Sequence, residues 1–395
     1  MFMLSPPRKR MTMQMIQYRG FDVSEDGDND GMHEIKTKLN AEKSRIDEFQ
    51  CQLTKEDLRK YYGTSNKFHL LKRRIPDDLR RQILMDISYS KFTSKICTTD
   101  FKKEIAKKYN VRNFTNAGLK FYEVLCQEDI LPLGNVYHFA NSELPGSFLV
   151  AVNFFRRVNN IADDYNWVAN SLLSGLEDSF GLVAKYPDNW MMSSVMNGDI
   201  CIKENLDFIK KYFEKKKVNL YTSDAGIDLD IGQYNDQEKI EGKLKMCEVY
   251  CGMISLQKGG NLVIKFYTFF ESQTVSLFTI MKRSFRRFRI VKPMTSKATN
   301  SEVYAIGIDF QGCDYVDHLY SKVLAYDDLP VIPDACYLKE ICGDVYFQQI
   351  SHIKRNIRLF SNDYIPPEVD VERQFLMSEY ERMNPMRKVC FSENL

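Results

Sequence analysis

At 395 residues, with 44% hydrophobic and 27% charged residues, the chain exceeds one average domain and describes a globular protein with a sizeable core. A formal net charge of +2 excludes a global attraction to nucleic acid, so any RNA affinity must come from locally clustered charge. No run approaches the ~18 uninterrupted apolar residues of a membrane span, and Met1–Arg10 lacks the apolar centre and small-residue cleavage site of a secretory signal. The sequence therefore reads as intracellular, with no membrane partner. Pro6-Pro7-Arg8-Lys9-Arg10 reads either as a nuclear signal or as a solvated basic terminus. The 10 cysteines include no Cys-x-x-Cys pair and the 5 histidines show no ligand spacing, so no metal is expected.

Residues 1–45 are Met-rich and then acidic through Ser24-Glu25-Asp26-Gly27-Asp28-Asn29-Asp30-Gly31, with too little apolar surface to order themselves; a flexible tail is expected. Over 46–111 the pattern turns helical and charged. Pro76, Asp77 and Asp78 mark a helix start, followed by Leu79, Ile83 and Leu84 at helical spacing, which predicts a helical N-terminal extension. From 112 to 310 short apolar runs alternate with amphipathic segments. Strands are predicted over 136–140, 166–169, 199–202, 218–221, 262–266, 288–291 and 302–307, with helices over 204–216 and 238–256 between them. That alternation implies an α/β fold, a mainly parallel sheet covered on both faces that binds ligands at the carboxyl ends of its strands. Residues 311–395 read as a mostly helical C-terminal extension, with 338–362 the longest helix.

Four residues stand in recognisable settings: Lys120 in Leu119–Glu123, Asp224 in Thr222–Gly226, Lys265 closing Gly259–Lys265, and Glu302 in Lys292–Tyr304. Their order resembles the Lys-Asp-Lys-Glu tetrad of the FtsJ-like (RrmJ-type) RNA ribose 2′-O-methyltransferases. Lys292-Pro293, Ser296-Lys297 and Asn300-Ser301-Glu302-Val303-Tyr304 are similar to that family's Lys-Pro-x-x-Ser-Arg-x-x-Ser-Ser-Glu-x-Tyr pattern, with Lys297 in place of Arg and Asn300 in place of Ser. The resemblance covers 112–310 and implies a Rossmann-like sheet that uses S-adenosyl-L-methionine.

Under that resemblance the turn Glu143-Leu144-Pro145-Gly146-Ser147-Phe148 lies beneath the methionine part of the cofactor. Asp199, in Asn197–Asn205, meets its adenine end, and Trp167 and Asp224 lie beside it. Ala140 stands where the family usually has an acid. The tetrad also has a chemical rationale. A ribose 2′-hydroxyl is a poor nucleophile and benefits from a base, whereas a lysine of ordinary pKa, ~10.4, is protonated at neutral pH. Burial, Lys120 and the cofactor's sulfonium would each favour a neutral Lys265 amine, with Asp224 and Glu302 orienting the lysines.

Arg283, Arg286, Arg287, Arg289, Lys292 and Lys297 occur in a run free of acids. With Ser296 they are expected to grip RNA phosphates. The extensions, the Glu-Leu-Pro-Gly turn and the Asn-Trp-Val-Ala segment look most like the messenger-RNA cap methyltransferases of large cytoplasmic DNA viruses, the African swine fever virus type in particular. That implies 5′-capped mRNA as partner, alongside other capping or transcription proteins. The alternatives are a catalytically silent RNA-binding scaffold on the same fold and a methyltransferase of internal, ribosomal RNA.

Overall fold

The structure is a computed structural model that describes residues 17–24, 29–64, 66–95, 101–172, 178–191, 197–227, 229–230, 233–325, 329, 332, 336–362 and 368–395. The basic segment Pro6–Arg10 lies outside the described residues. The N-terminal part comprises β1 (Arg19–Asp22), α1 (Met32–Ser44), α2 (Lys55–Tyr62), α3 (Lys67–Leu70), α4 (Asp77–Lys95) and α5 (Phe101–Tyr109). Next come α6 (Asn116–Gln127), β2 (Val136–Asn141), α7 (Ser147–Val158), β3 (Tyr165–Asn170), α8 (Leu182–Lys185), α9 (Lys203–Lys215) and β4 (Val218–Ser223). They are followed by α10 (Gln237–Ile240), α11 (Gly242–Ser255), β5 (Leu256–Phe266), α12 (Ser272–Ser284), β6 (Phe285–Lys292) and β7 (Val303–Phe310). The chain ends with α13 (Val316–Ala325), α14 (Lys339–Ser361) and α15 (Glu368–Met383).

The strands form one seven-stranded sheet in the order β3-β2-β4-β5-β7-β6-β1. β3, β2, β4 and β5 are parallel, and β7, β6 and β1 run antiparallel to their neighbours. The apolar run Leu262–Ile264 within β5 reflects burial on both faces. With a side-chain period of two, Leu262 and Ile264 enter one core with α9, α11, α12 and α14, while Val263 enters the other with α5, α6 and α7. The chain leaves β2 toward β3 on one side, and β4 leads to β5 on the other. This opens a crevice at the carboxyl tips of β2 and β4, the topological switch point where open α/β sheets hold ligands.

The structure differs from the sequence expectations in two places. Within 1–45, Arg19–Asp22 pairs with β6, and Met32–Ser44 is helical. Met32, Ile35 and Leu39 present an apolar stripe that joins the main core beside Ile341 and Val345 of α14, enough burial to order a segment whose local composition is polar. Residues 199–202 form a turn rather than a strand. Asp199 Oδ1 accepts from the Cys201 amide at 2.8 Å, and Asn205 Nδ2 donates to Asn197 Oδ1 and to the Asp199 carbonyl at 2.7 and 2.8 Å. Side-chain bonds to the local backbone displace strand pairing here.

Candidate active site

Lys120 projects from α6, whose start is capped by Thr115 Oγ1 accepting from the Gly118 amide at 3.0 Å. Asp224 follows the last residue of β4, and Lys265 lies one residue before the end of β5. Glu302 precedes β7, which runs the other way, so all four meet at the same edge of the sheet. Lys120 Nζ donates to Glu302 Oε1 at 2.5 Å, and Lys265 Nζ lies 3.2 Å from Asp224 Oδ1 and donates to the Asp224 carbonyl at 2.9 Å. The structure thus joins the tetrad as two ion pairs.

Burial acts to raise the Glu302 carboxyl, but Lys120, Lys265 and Lys292 outweigh it and hold it at about 2. Burial acts to lower the Lys265 amine, but Asp224, Tyr267 and Glu302 outweigh it and hold the group above the ordinary lysine range. Burial thus acts in the expected direction, and the neighbouring carboxylates outweigh it. Without a further positive charge the residue is an ammonium.

Several supporting residues lie outside the sequence expectations. Lys245 Nζ donates to the Ala225 carbonyl at 3.0 Å and to Glu248 Oε2 at 2.7 Å, while Glu248 Oε1 and Glu241 Oε1 accept from the Ala225 and Ile227 amides at 3.3 Å. α10 and α11 thereby clamp the loop that carries Asp224. The available signal was Glu241, Lys245 and Glu248, which share one helix face at i, i+4 and i+7. Tyr304 places its hydroxyl 3.5 Å from Asp224 Oδ1, and the Lys265 ammonium stands 5.6 Å from the Tyr267 ring centre. Glu123, fully buried, accepts from the Met294 and Thr295 amides at 2.7 and 3.2 Å and so ties the Lys120 helix to the loop before Glu302.

At the switch point, Asn170 Nδ2 donates to Asn141 Oδ1 at 2.9 Å and to the Gly198 carbonyl at 3.0 Å, linking the tips of β2 and β3 to the Asp199 turn. Asn170 Oδ1 is buried without a donor, the vacancy that a nucleoside hydroxyl or amino group would satisfy. Gly198 has φ +80°, and a Cβ there would stand 1.7 Å from the Ser171 carbonyl oxygen, so only glycine lets the two loops close. Glu143 accepts from the Phe148 and Leu149 amides at 2.7 and 3.1 Å, at the start of α7, and burial raises its carboxyl to about 8. The Leu144 amide donates to Ser171 Oγ at 3.3 Å, and Gly146 sits with φ +116° against Leu182.

Three of the expected cofactor residues use their side chains elsewhere. Ser147 Oγ accepts from Thr115 Oγ1 at 2.8 Å, and the Phe148 ring stacks on Phe121 at 4.0 Å. Trp167 lies inside β3, three residues before its tip, with its ring edge-on to Trp190 at 6.0 Å. An indole of that size is held by core packing, and Asn170 occupies the strand end in its place.

The basic run is not brought to the site as expected. β6 pairs Phe285 with Phe310 and Val291 with Tyr304, so it starts at the opposite edge of the sheet. At ~3.4 Å per residue, Arg286 and Arg287 lie ~14–17 Å from the Val291 level, near the far end, and Arg283 is in the last turn of α12, just before β6 begins. Arg286 pairs with Asp309 at 2.7 Å and Arg287 with Asp22 at 2.8 Å, and Arg283 donates to the Tyr315 hydroxyl at 2.9 Å. Both carboxylate oxygens of buried Glu128 accept from Arg289, which also faces Asp22 at 3.3 Å. Lys292 reaches the site edge but turns inward, donating to the Asn300 and Glu302 carbonyls at 2.8 and 2.7 Å and to Asn300 Oδ1 at 2.9 Å. Buried Ser296 donates to Glu302 Oε1 at 3.2 Å. The acids that answer these cations come from distant segments, which is why a local run looked unopposed.

Lys297 of that set lines a cleft of about 400 Å³ beside the tetrad. Its other walls include Tyr267, Asn300 and Ser301 from the sheet edge, Tyr234 from the loop after β4, and Lys43, Tyr89 and Thr93 from the N-terminal helices. Among the described residues no group of His, Cys, Asp and Glu side chains is placed to hold a metal ion, and no helix is long and apolar enough to cross a membrane.

A mixed seven-stranded sheet with a polar crevice at its switch point and a paired-charge site beside it is the architecture of a Rossmann-like methyltransferase. Residues 117–310 match the FtsJ-like methyltransferase family. The chain is 31% identical over 303 residues to "Probable methyltransferase EP424R" of African swine fever virus (isolate Warthog/Namibia/Wart80/1980), covering 68% of this chain and 70% of that protein. It is 31% identical over 279 residues to "Cap-specific mRNA (nucleoside-2'-O-)-methyltransferase 2" of Danio rerio, covering 64% of this chain and 37% of the fish protein. A Plasmodium falciparum structure described as a ribosomal RNA methyltransferase aligns with TM-score 0.34 and 19% identity over 50% of this chain and 97% of that one. This chain belongs to the FtsJ-like methyltransferase family, and its methyl donor is S-adenosylmethionine.

Proposed function

We propose that the chain is an RNA ribose 2′-O-methyltransferase acting near the 5′ end of capped mRNA. The observation that carries this reading is the pairing of Lys265 with Asp224 and of Lys120 with Glu302 at the sheet edge, between the switch-point crevice and the open cleft. Similarity to the cap-specific enzyme of Danio rerio supports the choice of capped mRNA.

S-adenosylmethionine supplies an electrophilic methyl carried on a positive sulfur. Asn170, Asp199 and the Glu143–Gly146 turn would hold it at the tips of β2, β3 and β4, at the same edge of the sheet as Asp224 and Lys265. With two ammonium and two carboxylate groups the tetrad is formally neutral. A bound sulfonium makes the site positive, and a nearby like charge lowers the pKa of Lys265. Its neutral amine would take the proton of the 2′-hydroxyl as that oxygen attacks, and the bound donor would supply the methyl and keep the electron pair of its carbon–sulfur bond. Asp224 aims Lys265, while Glu302, held by Lys120, Ser296 and the Lys292 loop, sets the local charge.

The test is label transfer from S-adenosylmethionine to capped RNA with the wild-type chain and Lys265→Met. Loss of a general base costs ~10²–10⁴-fold. Transfer to a ribose that disappears in the variant supports the reading, and full activity of Lys265→Met sinks it.

A further inference from the structure

The cations of the β6 run that pair with Asp22, Glu128 and Asp309 are engaged within the protein. A second concentration of positive charge stands in the module formed by α2, α3 and α4. Residues 51–95 hold 11 Lys and Arg against 5 Asp and Glu, in a chain whose whole net charge is +2. The module has its own small core of Cys51, Leu58, Leu70, Ile75, Leu79, Ile83 and Ile87.

Arg59, Lys60, Lys72 and Arg74 are exposed and have no carboxylate partner among the described residues. Between them stand two aromatic rings in solvent, Tyr61 at 65% and Phe68 at 58% exposure. Each has an ammonium over its face, Lys60 at 5.5 Å from Tyr61 and Lys91 at 5.6 Å from Phe68. Exposed rings interleaved with unpaired cations suit a single-stranded nucleic acid, whose phosphates meet the charges while its bases stack on the rings. The module also reaches the chemistry. Tyr89 and Thr93 of α4 wall the cleft beside Tyr267 and Lys297, and Arg81, Leu84 and Lys91 of the same helix are exposed.

We infer that the α2–α4 module is a single-stranded RNA-binding surface that holds the strand downstream of the methylated ribose. This rests on the substrate being RNA, as proposed above. It lies outside the 117–310 family match, so the module sets RNA affinity while the tetrad sets turnover.

The experiment uses the full chain and a labelled single-stranded RNA, with affinity read by fluorescence anisotropy over a salt series and turnover by methyl transfer. Arg59→Ala, Lys60→Ala, Lys72→Ala and Arg74→Ala combined should weaken binding at least ~10-fold and flatten the salt slope by up to ~3, at ~0.7 per phosphate contact. Tyr61→Ala with Phe68→Ala should weaken binding and leave that slope unchanged. In both variants KM for RNA rises while kcat holds. Arg286→Ala with Arg287→Ala is the comparison and should leave affinity unchanged.

Unaltered RNA affinity in both module variants, with circular dichroism showing intact folding, overturns the inference. A module that instead binds an acidic protein or anionic vesicles and not RNA overturns it equally. If the wild-type chain binds RNA through the module but transfers no methyl to it, the proposed function fails and the module assignment stands. If methyl transfer occurs with module variants at wild-type KM, the assignment fails alone.

Discussion

The state of Lys265 gives the sharpest test of the site chemistry, through Asp224→Asn. Asp224 Oδ1 stands 3.2 Å from the Lys265 ammonium, and both side chains are largely buried. At an effective dielectric of ~20, unit charges at that distance attract by ~5 kcal/mol, an upper bound before desolvation is counted. Each ~1.4 kcal/mol is one pKa unit, so removing the carboxylate charge is a large perturbation. Asp224 raises the Lys265 pKa, so its loss must lower it. In the wild type, kcat rises with pH as the ammonium gives up its proton. In Asp224→Asn that limb moves toward lower pH, while the plateau falls because the amine has lost the group that aims it. The assay is kcat against pH at saturating cofactor and RNA. A limb that stays in place, or moves toward higher pH, refutes Lys265 as the titrating base held up by Asp224.

Three further outcomes are expected. Glu302→Gln removes a second negative neighbour of Lys265 and should shift the same limb toward lower pH, leaving the Kd for S-adenosylmethionine unchanged by calorimetry. Gly198→Ala forces a Cβ against the Ser171 carbonyl and a left-handed backbone on alanine, at ~1–2 kcal/mol for the backbone alone, so cofactor affinity and Tm should both fall. Glu302, held at about 2, contributes stability that is present above its unfolded value of ~4.3 and is lost as pH falls toward 2. Lys120→Met removes the main partner and should raise the acid-unfolding midpoint, read by circular dichroism.

The sheet was legible because its strands are written locally, and the tetrad because its residues follow the order of a family motif. Val136–Ala140, Val218–Tyr221 and Leu262–Phe266 are short, largely apolar runs of strand length rich in β-branched and aromatic residues, and Asp224 and Lys265 lie at or just past the ends of two of them. What was illegible depends on distant partners. The charge of Arg287 and Arg289 is answered by Asp22 and Glu128, far away in sequence, and the inward turn of Lys292 depends on the loop that ends at Glu302. The order of Met32–Ser44 comes from α14, more than 290 residues downstream. The strength of the pairing was illegible in the same way: Asp224 and Glu302 stand out in the sequence, but the 3.2 Å approach of Asp224 to Lys265 is set by the fold.

The most direct measurement is methyl transfer from labelled S-adenosylmethionine to two RNAs that differ only in a 7-methylguanosine cap or a 5′-triphosphate, followed by nuclease mapping of the label. Label on the ribose 2′-oxygen of a nucleotide next to the cap, much stronger on the capped RNA and absent with Lys265→Met, is the expected result. Label on a base, or equal labelling of both RNAs at internal riboses, contradicts it.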